Sequence, residues 1–284
     1  MKLLLTRAAG VTTSKSITSS LVSKRLHSTG LVAAMLPASQ SRLRLEEDRY
    51  CQNLSTPIKQ PYQGVLKALA KKTESDFRNA HMMVSETQGK LLHQLVSILR
   101  PANVLEIGGF TGYSAIAMAS ALAPKAKLLS LELDPKHIEV AEQFVNQAQL
   151  QDKILFKQGP ALDSLSYLGQ ENPASTQYDL IFLDADKAGY IQYFDSIMEH
   201  DLLSDRGIIL VDNVLFFGHV HTQAADYVSQ APNKDSSNGE EGTRNLRKTA
   251  LKVHHFNQHV AKDPRVESVM LPVFDGLTII RKKV

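Results

Sequence analysis

Residues 104–114 read Val-Leu-Glu-Ile-Gly-Gly-Phe-Thr-Gly-Tyr-Ser and combine an apolar strand with a glycine-rich turn. The strand carries an acid, Glu106, near its end, and the chain then turns through Gly108, Gly109 and Gly112 toward a helix. Glycine allows the backbone to turn tightly and to approach a ligand closely. The stretch therefore predicts a strand–turn–helix unit of an α/β sheet, with a candidate binding site at the turn.

The spacing of these glycines restricts the kind of ligand. The pattern Glu-x-Gly-x-x-x-Gly differs from the Gly-x-Gly-x-x-Gly fingerprint of dinucleotide-binding enzymes, and the turn lacks the Gly-Lys-Ser/Thr ending of a phosphate-binding loop. A glycine-rich turn beside a carboxylate suits a ligand that carries an amine and a sulfonium, such as S-adenosylmethionine. A tight turn that binds nothing is the alternative that the motif alone leaves open.

Strand-like apolar runs and helical patterns alternate along the rest of the chain. The predicted strands are 104–107, 127–133, 154–157, 178–183, 207–211, 266–273 and 277–281, and the predicted helices are 85–99, 113–122, 135–148, 161–168, 191–198 and 246–260. This alternation predicts a Rossmann-like, doubly wound, mostly parallel seven-stranded sheet with helices on both faces. The Asp275-Gly276 pair between the last two strands indicates a C-terminal antiparallel hairpin, and Pro272 favours an edge or a bulge.

Charge is unevenly distributed along the chain. Of the 32 Lys and Arg residues, seven lie in residues 1–45, which contain no acid, so the remaining 25 face 29 Asp and Glu. The folded part is therefore acidic, which argues against nucleic-acid binding. The basic, Ser-rich start is typical of a mitochondrial transit peptide, so we expect a leader over 1–35 and a single domain over 36–284. A tail without a targeting role, on a cytoplasmic protein, is the alternative.

Other features exclude several classes of protein. The single cysteine, Cys51, excludes an internal disulfide framework and zinc sites of the multi-cysteine type. No apolar run approaches the roughly 18 residues of a membrane span. A polar stretch at 218–243 predicts a long loop, which favours a lid or a surface insertion.

Polar residues follow several predicted strands, where open α/β sheets bind their ligands. Glu132 ends the second strand and is expected to accept hydrogen bonds from ribose hydroxyls, unless it is only a helix cap. Asp184 follows the fourth strand, and Asp212 and Asn213 follow the fifth. These hard oxygen ligands suit Mg²⁺, Mn²⁺ or Ca²⁺ rather than Zn²⁺, although an Asp-Asn pair is also common in loops. Beside such a cation the pKa of Lys187 is expected to fall toward the range of a useful base; a solvated surface lysine is the alternative.

Several short segments together carry a resemblance to a known family. They are Met82-Met83-Val84-Ser85, Leu105-Glu106-Ile107-Gly108, Thr111-Gly112-Tyr113-Ser114, Gly159-Pro160-Ala161, Asp184-Ala185-Asp186-Lys187 and Asp212-Asn213. Through them, residues 60–284 resemble the cation-dependent class I O-methyltransferases, the group of catechol and caffeoyl-CoA O-methyltransferases. The segments at 159–162 and 184–187 are closer to the caffeoyl-CoA branch.

The resemblance implies a cofactor, a cation and their contacts. The methyl donor is S-adenosylmethionine, and the cation is Mg²⁺ first, with Mn²⁺ or Ca²⁺ as alternatives. Asp184, Asp212 and Asn213 are the implied cation ligands, and Lys187 is the implied general base. The implied cofactor contacts are Met82, Val84, Glu106, Gly108, Gly109, Phe110, Ser114, Glu132, Ala161 and Asp184.

The resemblance also implies a reaction. A catechol-like or caffeoyl-like phenol chelates the cation through two neighbouring oxygens, Lys187 accepts the hydroxyl proton, and the phenolate takes the methyl group. Ala185 and Asp186 replace a bulkier pair of the catechol branch, and the 218–243 loop is long. The resemblance therefore does not imply which residues form the acceptor pocket. A homodimer is implied. The rival interpretations are a non-catalytic S-adenosylmethionine-binding scaffold and, less favoured by the glycine spacing, a nucleotide-dependent oxidoreductase.

Overall fold

The computed structural model describes residues 38–170, 177–223 and 241–283. Its helices are α1 (Ala38–Leu54), α2 (Tyr62–Asp76), α3 (Glu86–Leu99), α4 (Tyr113–Ala119), α5 (Pro135–Gln147), α6 (Ala161–Gln170), α7 (Tyr190–Glu199) and α8 (Glu241–Lys262). Its strands are β1 (Asn103–Ile107), β2 (Lys127–Glu132), β3 (Ile154–Gln158), β4 (Tyr178–Leu183), β5 (Leu203–Asp212), β6 (Val266–Leu271) and β7 (Leu277–Lys282). The predicted leader and most of the predicted 218–243 loop lie outside the described residues.

The strands form one seven-stranded sheet in the order β3-β2-β1-β4-β5-β7-β6. Neighbouring strands from β3 to β5 pair in parallel, and β7 runs antiparallel to both β5 and β6. The predicted doubly wound sheet with a C-terminal antiparallel strand is thus confirmed. The strand order reverses between β1 and β4, and this reversal opens a crevice at the carboxyl ends of these strands.

Local signals explain where helices begin and end. The Ser85 side chain accepts a hydrogen bond from the Gln88 backbone N–H at 3.2 Å and caps α3. Arg100 then takes a left-handed conformation just before Pro101, which ends the helix. At α5, the Asp134 side chain caps the first turn, where Pro135 fits because its missing N–H needs no partner.

The sheet is buried on both faces, which explains its nearly continuous apolar strands. One face packs against α2, α3 and α4 through residues such as Val104, Leu128 and Phe182. The other face packs against α6, α7 and α8 through the alternate side chains, Leu105 and Ile181 among them. Side-chain alternation therefore turns Glu106 toward the face of Val104, under α4.

Several boundaries differ from the prediction for identifiable reasons. β5 begins at Leu203 rather than 207, because Leu203 pairs with Tyr178 across an irregularity in the β4–β5 register. β6 ends at Leu271, before Pro272, and is the edge strand of the sheet as that proline indicated. Within the described ranges, no helix is both long and apolar enough to cross a membrane.

Candidate active site

The glycine-rich turn lies at the reversal of the strand order. Ile107 pairs in register with Leu183, and the Asp184 N–H donates to the Ile107 carbonyl at 2.9 Å. Gly108 has a φ of 97°, and a Cβ atom there would lie 2.4 Å from the Asp184 carbonyl oxygen. A side chain is excluded at this position, so the ends of β1 and β4 approach each other closely.

The rest of the turn is held by α5 and β2. Gly112 has a φ of 86°, and a Cβ atom there would lie 2.8 Å from Cβ of Ala141 on α5. The Gly109 N–H donates to the Leu131 carbonyl at 3.2 Å. Phe110 takes a φ of 43°, an uncommon value for a residue with a side chain. The turn is therefore a fixed structure whose backbone conformation is set by its neighbours.

Glu106 is fully buried beside this turn. Its Oε2 accepts a hydrogen bond from the Ser130 hydroxyl. Its Oε1 is buried and accepts no hydrogen bond from the residues that the structure describes. Burial raises the pKa of Glu106 to about 7, the Ser114 and Ser130 hydroxyls offset part of the rise, and repulsion from Asp184 and Glu132 adds to it. A buried carboxylate oxygen without a donor is suited to a cationic ligand group.

Glu106→Gln is expected to change how the stability of the ligand-free protein depends on pH. A carboxyl group whose pKa is raised by folding stabilises the folded state fully below its unfolded pKa near 4.5. This stabilisation is lost as the pH rises through the folded pKa of about 7. The loss is about 3 kcal/mol at most. The variant should therefore gain stability relative to wild type between pH 5 and pH 8 in urea unfolding, whereas Glu139→Gln, at an exposed position, should not. If Glu106→Gln differed from wild type by the same free energy of unfolding at pH 5 and at pH 8, the raised pKa of Glu106 would be contradicted.

Glu132, at the end of β2, already holds several donors. Its Oε2 accepts the Phe110 N–H at 2.7 Å, and its Oε1 accepts the Asp134 N–H at 2.9 Å and faces His137 Nδ1 at 3.1 Å. A carboxylate has about four acceptor positions, so Oε2 keeps one for a ligand. The Glu132 side chain as a whole is 10% exposed.

The predicted cation ligands and base form one network at the ends of β4 and β5. Leu183 pairs in register with Val211, which makes Asp184 and Asp212 neighbours. Lys187 Nζ donates to Asp184 Oδ1 at 2.8 Å and to the Tyr190 hydroxyl at 2.7 Å. The Tyr190 hydroxyl in turn donates to the Asp212 carbonyl at 2.9 Å.

Asp212 is further held by a side chain of α3 and by the next residue in the chain. Gln88 Nε2, on α3, donates to Asp212 Oδ2 at 2.7 Å, and the Asn213 N–H donates to Oδ1 at 2.8 Å. Both Gln88 and Asp212 are buried. Asn213 is half-buried and takes a left-handed φ of 56°, which asparagine tolerates better than most residues.

Neighbouring groups of this network govern the protonation of Lys187 in the absence of a cation, and the lower pKa expected beside a cation stays a prediction. Burial lowers the pKa of its ammonium, but attraction by Asp184 and Tyr190 outweighs burial, so the pKa lies above its ordinary value. Burial raises the pKa of Asp184, and burial together with repulsion from Asp184 raises the pKa of Asp212 to about 7. When both carboxylates are ionised, they carry one negative charge more than Lys187 neutralises.

The remaining predicted residues fall into different environments. Val84 and Ser114 are buried, and Ala161 is half-buried at the start of α6. Met82 is 55% exposed. Asp186 accepts the Tyr193 hydroxyl at 2.6 Å and the Gly189 N–H at 3.0 Å, so it fixes the turn before α7.

Three residues of the site were missed by the sequence analysis: Gln88, Ser130 and Tyr190. Each is buried and contacts a predicted site residue from another element or turn. Gln88 stands three residues after the cap Ser85, a spacing that suggests a reciprocal capping role rather than a contact with Asp212. Tyr190 follows Lys187 by three residues, and this spacing was the one sequence feature that could have indicated a contact between them.

The donor set at the strand ends is compatible with a hard divalent cation. Within the described residues, no group of three or more His, Cys, Asp and Glu side chains is placed to hold a metal ion. The predicted set is different, because it combines two carboxylates with one amide. Burial raises the pKa values of both carboxylates, and a nearby cation would favour their ionised forms. Oxygen ligands of this kind fit Mg²⁺, Mn²⁺ or Ca²⁺.

Comparison with known proteins extends this description. A glycine-rich turn and an acid-ended second strand, at the reversal of a doubly wound sheet, define a class of proteins that bind nucleoside-containing ligands there. A family model described as O-methyltransferase matches residues 58–283. The chain belongs to this O-methyltransferase family.

Individual relatives agree with this family. Caffeoyl-CoA O-methyltransferase 2 of Eucalyptus globulus is 36% identical over 205 residues, which are 71% of this chain and 75% of the relative. O-methyltransferase ankF of Aspergillus thermomutatus is 32% identical over 237 residues, 83% of this chain and 92% of the relative. Among solved structures, the SAH-bound methyltransferase PaMTH1 of Podospora anserina has a TM-score of 0.72 at 29% identity and covers 86% of this chain and 96% of its own.

Proposed function

We propose that the protein transfers a methyl group from S-adenosylmethionine to a hydroxyl of a catechol-like or caffeoyl-like small molecule, in a reaction that depends on a divalent cation. The observation that carries the proposal is the network of half-buried Asp184 and Lys187 with buried Tyr190 and Asp212, beside the glycine-rich turn. Membership of the O-methyltransferase family and the names of its caffeoyl-CoA relatives support the acceptor class.

The cofactor site is formed by the turn and the ends of β1 and β2. Glu106 Oε1 is a buried acceptor suited to the ammonium group of the methionine part, with Ser114 nearby. Gly108 and Gly109 allow close approach, and Glu132 Oε2 accepts from the ribose. Met82, Val84, Phe110, Ala161 and Asp184 complete the proposed contacts. PaMTH1 was solved with SAH bound, and this similar structure supports the choice of cofactor.

Asp184, Asp212 and Asn213 would hold the cation. When bound there, it supplies Lewis acidity that lowers the pKa of an acceptor hydroxyl and neutralises the carboxylates. Gln88 fixes the Asp212 carboxylate through its 2.7 Å hydrogen bond, and Tyr190 holds the Asp212 backbone. These contacts orient Asp212 before a cation binds.

Lys187 is the proposed general base for the acceptor hydroxyl. Its Nζ donates to Asp184 at 2.8 Å and to Tyr190 at 2.7 Å, and these two contacts fix its position. A base must be neutral to accept a proton, and attraction by Asp184 currently favours the ammonium form. Weakening of that attraction is therefore a condition for the role of Lys187.

The experiment that tests this function is methyl transfer to a panel of acceptors with Mg²⁺ present. Methylated products are detected by mass spectrometry with caffeoyl-CoA, caffeate and catechol, and with matched phenols that lack the neighbouring oxygen. We expect products from the first group only. Cofactor binding without any methylated product would favour the non-catalytic scaffold, and calorimetric binding of NAD instead of S-adenosylmethionine would favour an oxidoreductase.

Further proposals concern the targeting leader, the domain boundaries and the oligomeric state of the protein. We propose that residues 1–35 are a mitochondrial-type leader, that 36–284 are a single domain, and that the protein is a homodimer without a nucleic-acid partner. The Ser-rich, acid-free start of the sequence supports the leader, and the family resemblance supports the dimer.

A further inference from the structure

Three aromatic rings meet above Glu132 at the nucleoside end of the proposed cofactor site. Phe77 lies just after α2, Phe110 lies in the glycine-rich turn, and His137 lies in the first turn of α5. The ring centroids of Phe110 and His137 are 4.6 Å apart, those of Phe77 and His137 are 5.3 Å apart, and those of Phe77 and Phe110 are 5.9 Å apart. All three pairs are edge-to-face, the arrangement that aromatic rings prefer.

His137 connects this ring cluster with the carboxylate of Glu132. Its Nδ1 lies 3.1 Å from Glu132 Oε1. A carboxylate only accepts hydrogen bonds, so Nδ1 carries a proton in this contact. With the Asp134 N–H on the same oxygen, Oε1 is saturated, and the free acceptor position of Glu132 is on Oε2.

The same cluster holds the turn in its uncommon backbone conformation. Phe110 has a φ of 43°, and its N–H donates to Glu132 Oε2. Such a conformation persists only when surrounding contacts determine it. Thr73 of α2 adds one of these contacts, since its hydroxyl is 2.9 Å from that of Thr111, and both residues are fully buried.

We propose that His137 is a positioning residue for cofactor binding, which acts by orienting Glu132 toward the ribose. This proposal rests on the proposed function, because it takes S-adenosylmethionine as the ligand. His137 does not touch the reacting atoms. Its effect is therefore on the affinity for the nucleoside cofactor and not on the chemical step.

The test compares His137→Ala with two variants that separate the hydrogen bond from the ring. His137→Asn can place an amide N–H near the position of Nδ1, whereas His137→Phe keeps a ring and loses the donor. We expect His137→Ala and His137→Phe to raise the Kd for SAH and the KM for S-adenosylmethionine about tenfold, the effect of one charge-assisted hydrogen bond. In both, kcat and the acceptor KM should stay within about twofold, and His137→Asn should recover most of the affinity.

A matched control is available at the packing of α7 against α8. His259 Nε2 pairs with Asp195 at 2.7 Å, and its ring lies edge-on to Phe194 at 5.9 Å. His259→Ala removes a similar pair and ring contact outside the proposed site, and it should leave the KM for S-adenosylmethionine unchanged.

Unchanged cofactor affinity in His137→Phe, or recovery by the phenylalanine and not by the asparagine, would overturn the proposal. This comparison does not depend on whether His137→Ala folds. Failure of the proposed function has different results. A wrong cofactor would leave the wild-type protein without SAH binding, and a non-catalytic scaffold would bind SAH but form no methylated product, so the Kd comparison would still test His137.

Discussion

Lys187→Ala is expected to lower kcat for methyl transfer by about 10²–10⁴-fold, the usual contribution of a general base. The affinity for S-adenosylmethionine should change by less than about threefold, because Lys187 is not itself a proposed cofactor contact and Asp184 is retained in the variant. Steady-state kinetics measure the first quantity, and calorimetric titration of the cofactor measures the second.

Two further variants distinguish the loss of a base from the loss of a charge or of a buried side chain. Lys187→Arg keeps a positive charge beside Asp184, but a guanidinium stays protonated at neutral pH and should give a similar loss of kcat. Lys90 is a buried lysine paired with Glu86 at 3.2 Å, outside the proposed site. Lys90→Met should therefore leave kcat within about twofold of wild type. Turnover close to wild type in Lys187→Ala would remove this lysine from the base role.

Asp212→Asn is expected to lower the affinity for a divalent cation by about 100-fold or more, since even residues behind the ligands change metal affinity by about 10–100-fold. The substitution removes one of the two carboxylates of the proposed ligand set. It also places an amide opposite the Gln88 amide, which now donates to Asp212 Oδ2. Binding of Mn²⁺ to the protein, followed by electron paramagnetic resonance, measures the affinity without any need for turnover.

A carboxylate at the other end of the sheet provides the control. Asp179, near the start of β4, accepts the Ala102 N–H at 2.7 Å and the Ser204 hydroxyl at 2.9 Å. Asp179→Asn should destabilise the fold and leave Mn²⁺ binding intact. Equal Mn²⁺ affinity in wild type and Asp212→Asn would exclude the proposed ligand set.

Much of the fold could be predicted because its strands are buried on both faces. Burial on both sides requires apolar residues at successive positions, and that requirement is visible in runs such as 104–107 and 178–183. The tight turn was equally visible, because the approach of β1 to Asp184 leaves no room for a side chain at Gly108. The start of β5 was missed, because Leu203 joins the strand only through its pairing with Tyr178.

The site was predicted less completely, for a physical reason. Residues at strand ends converge because the topology requires it, so Glu132, Asp184 and Asp212 could be selected from their positions alone. Gln88 is 124 residues from Asp212 in sequence, and no local pattern reports such a contact. The pKa of Lys187 without a cation could not be predicted either, since it depends on how closely Asp184 and Tyr190 approach.

The central proposal is that methyl transfer requires a hard divalent cation bound at the carboxyl ends of β4 and β5. The most direct measurement is the rate of methylation of a caffeoyl-type acceptor after exhaustive chelation, and again after addition of excess Mg²⁺. We expect activity to be lost with the chelator and to return with the metal. Full activity in excess chelator would contradict the requirement for a cation.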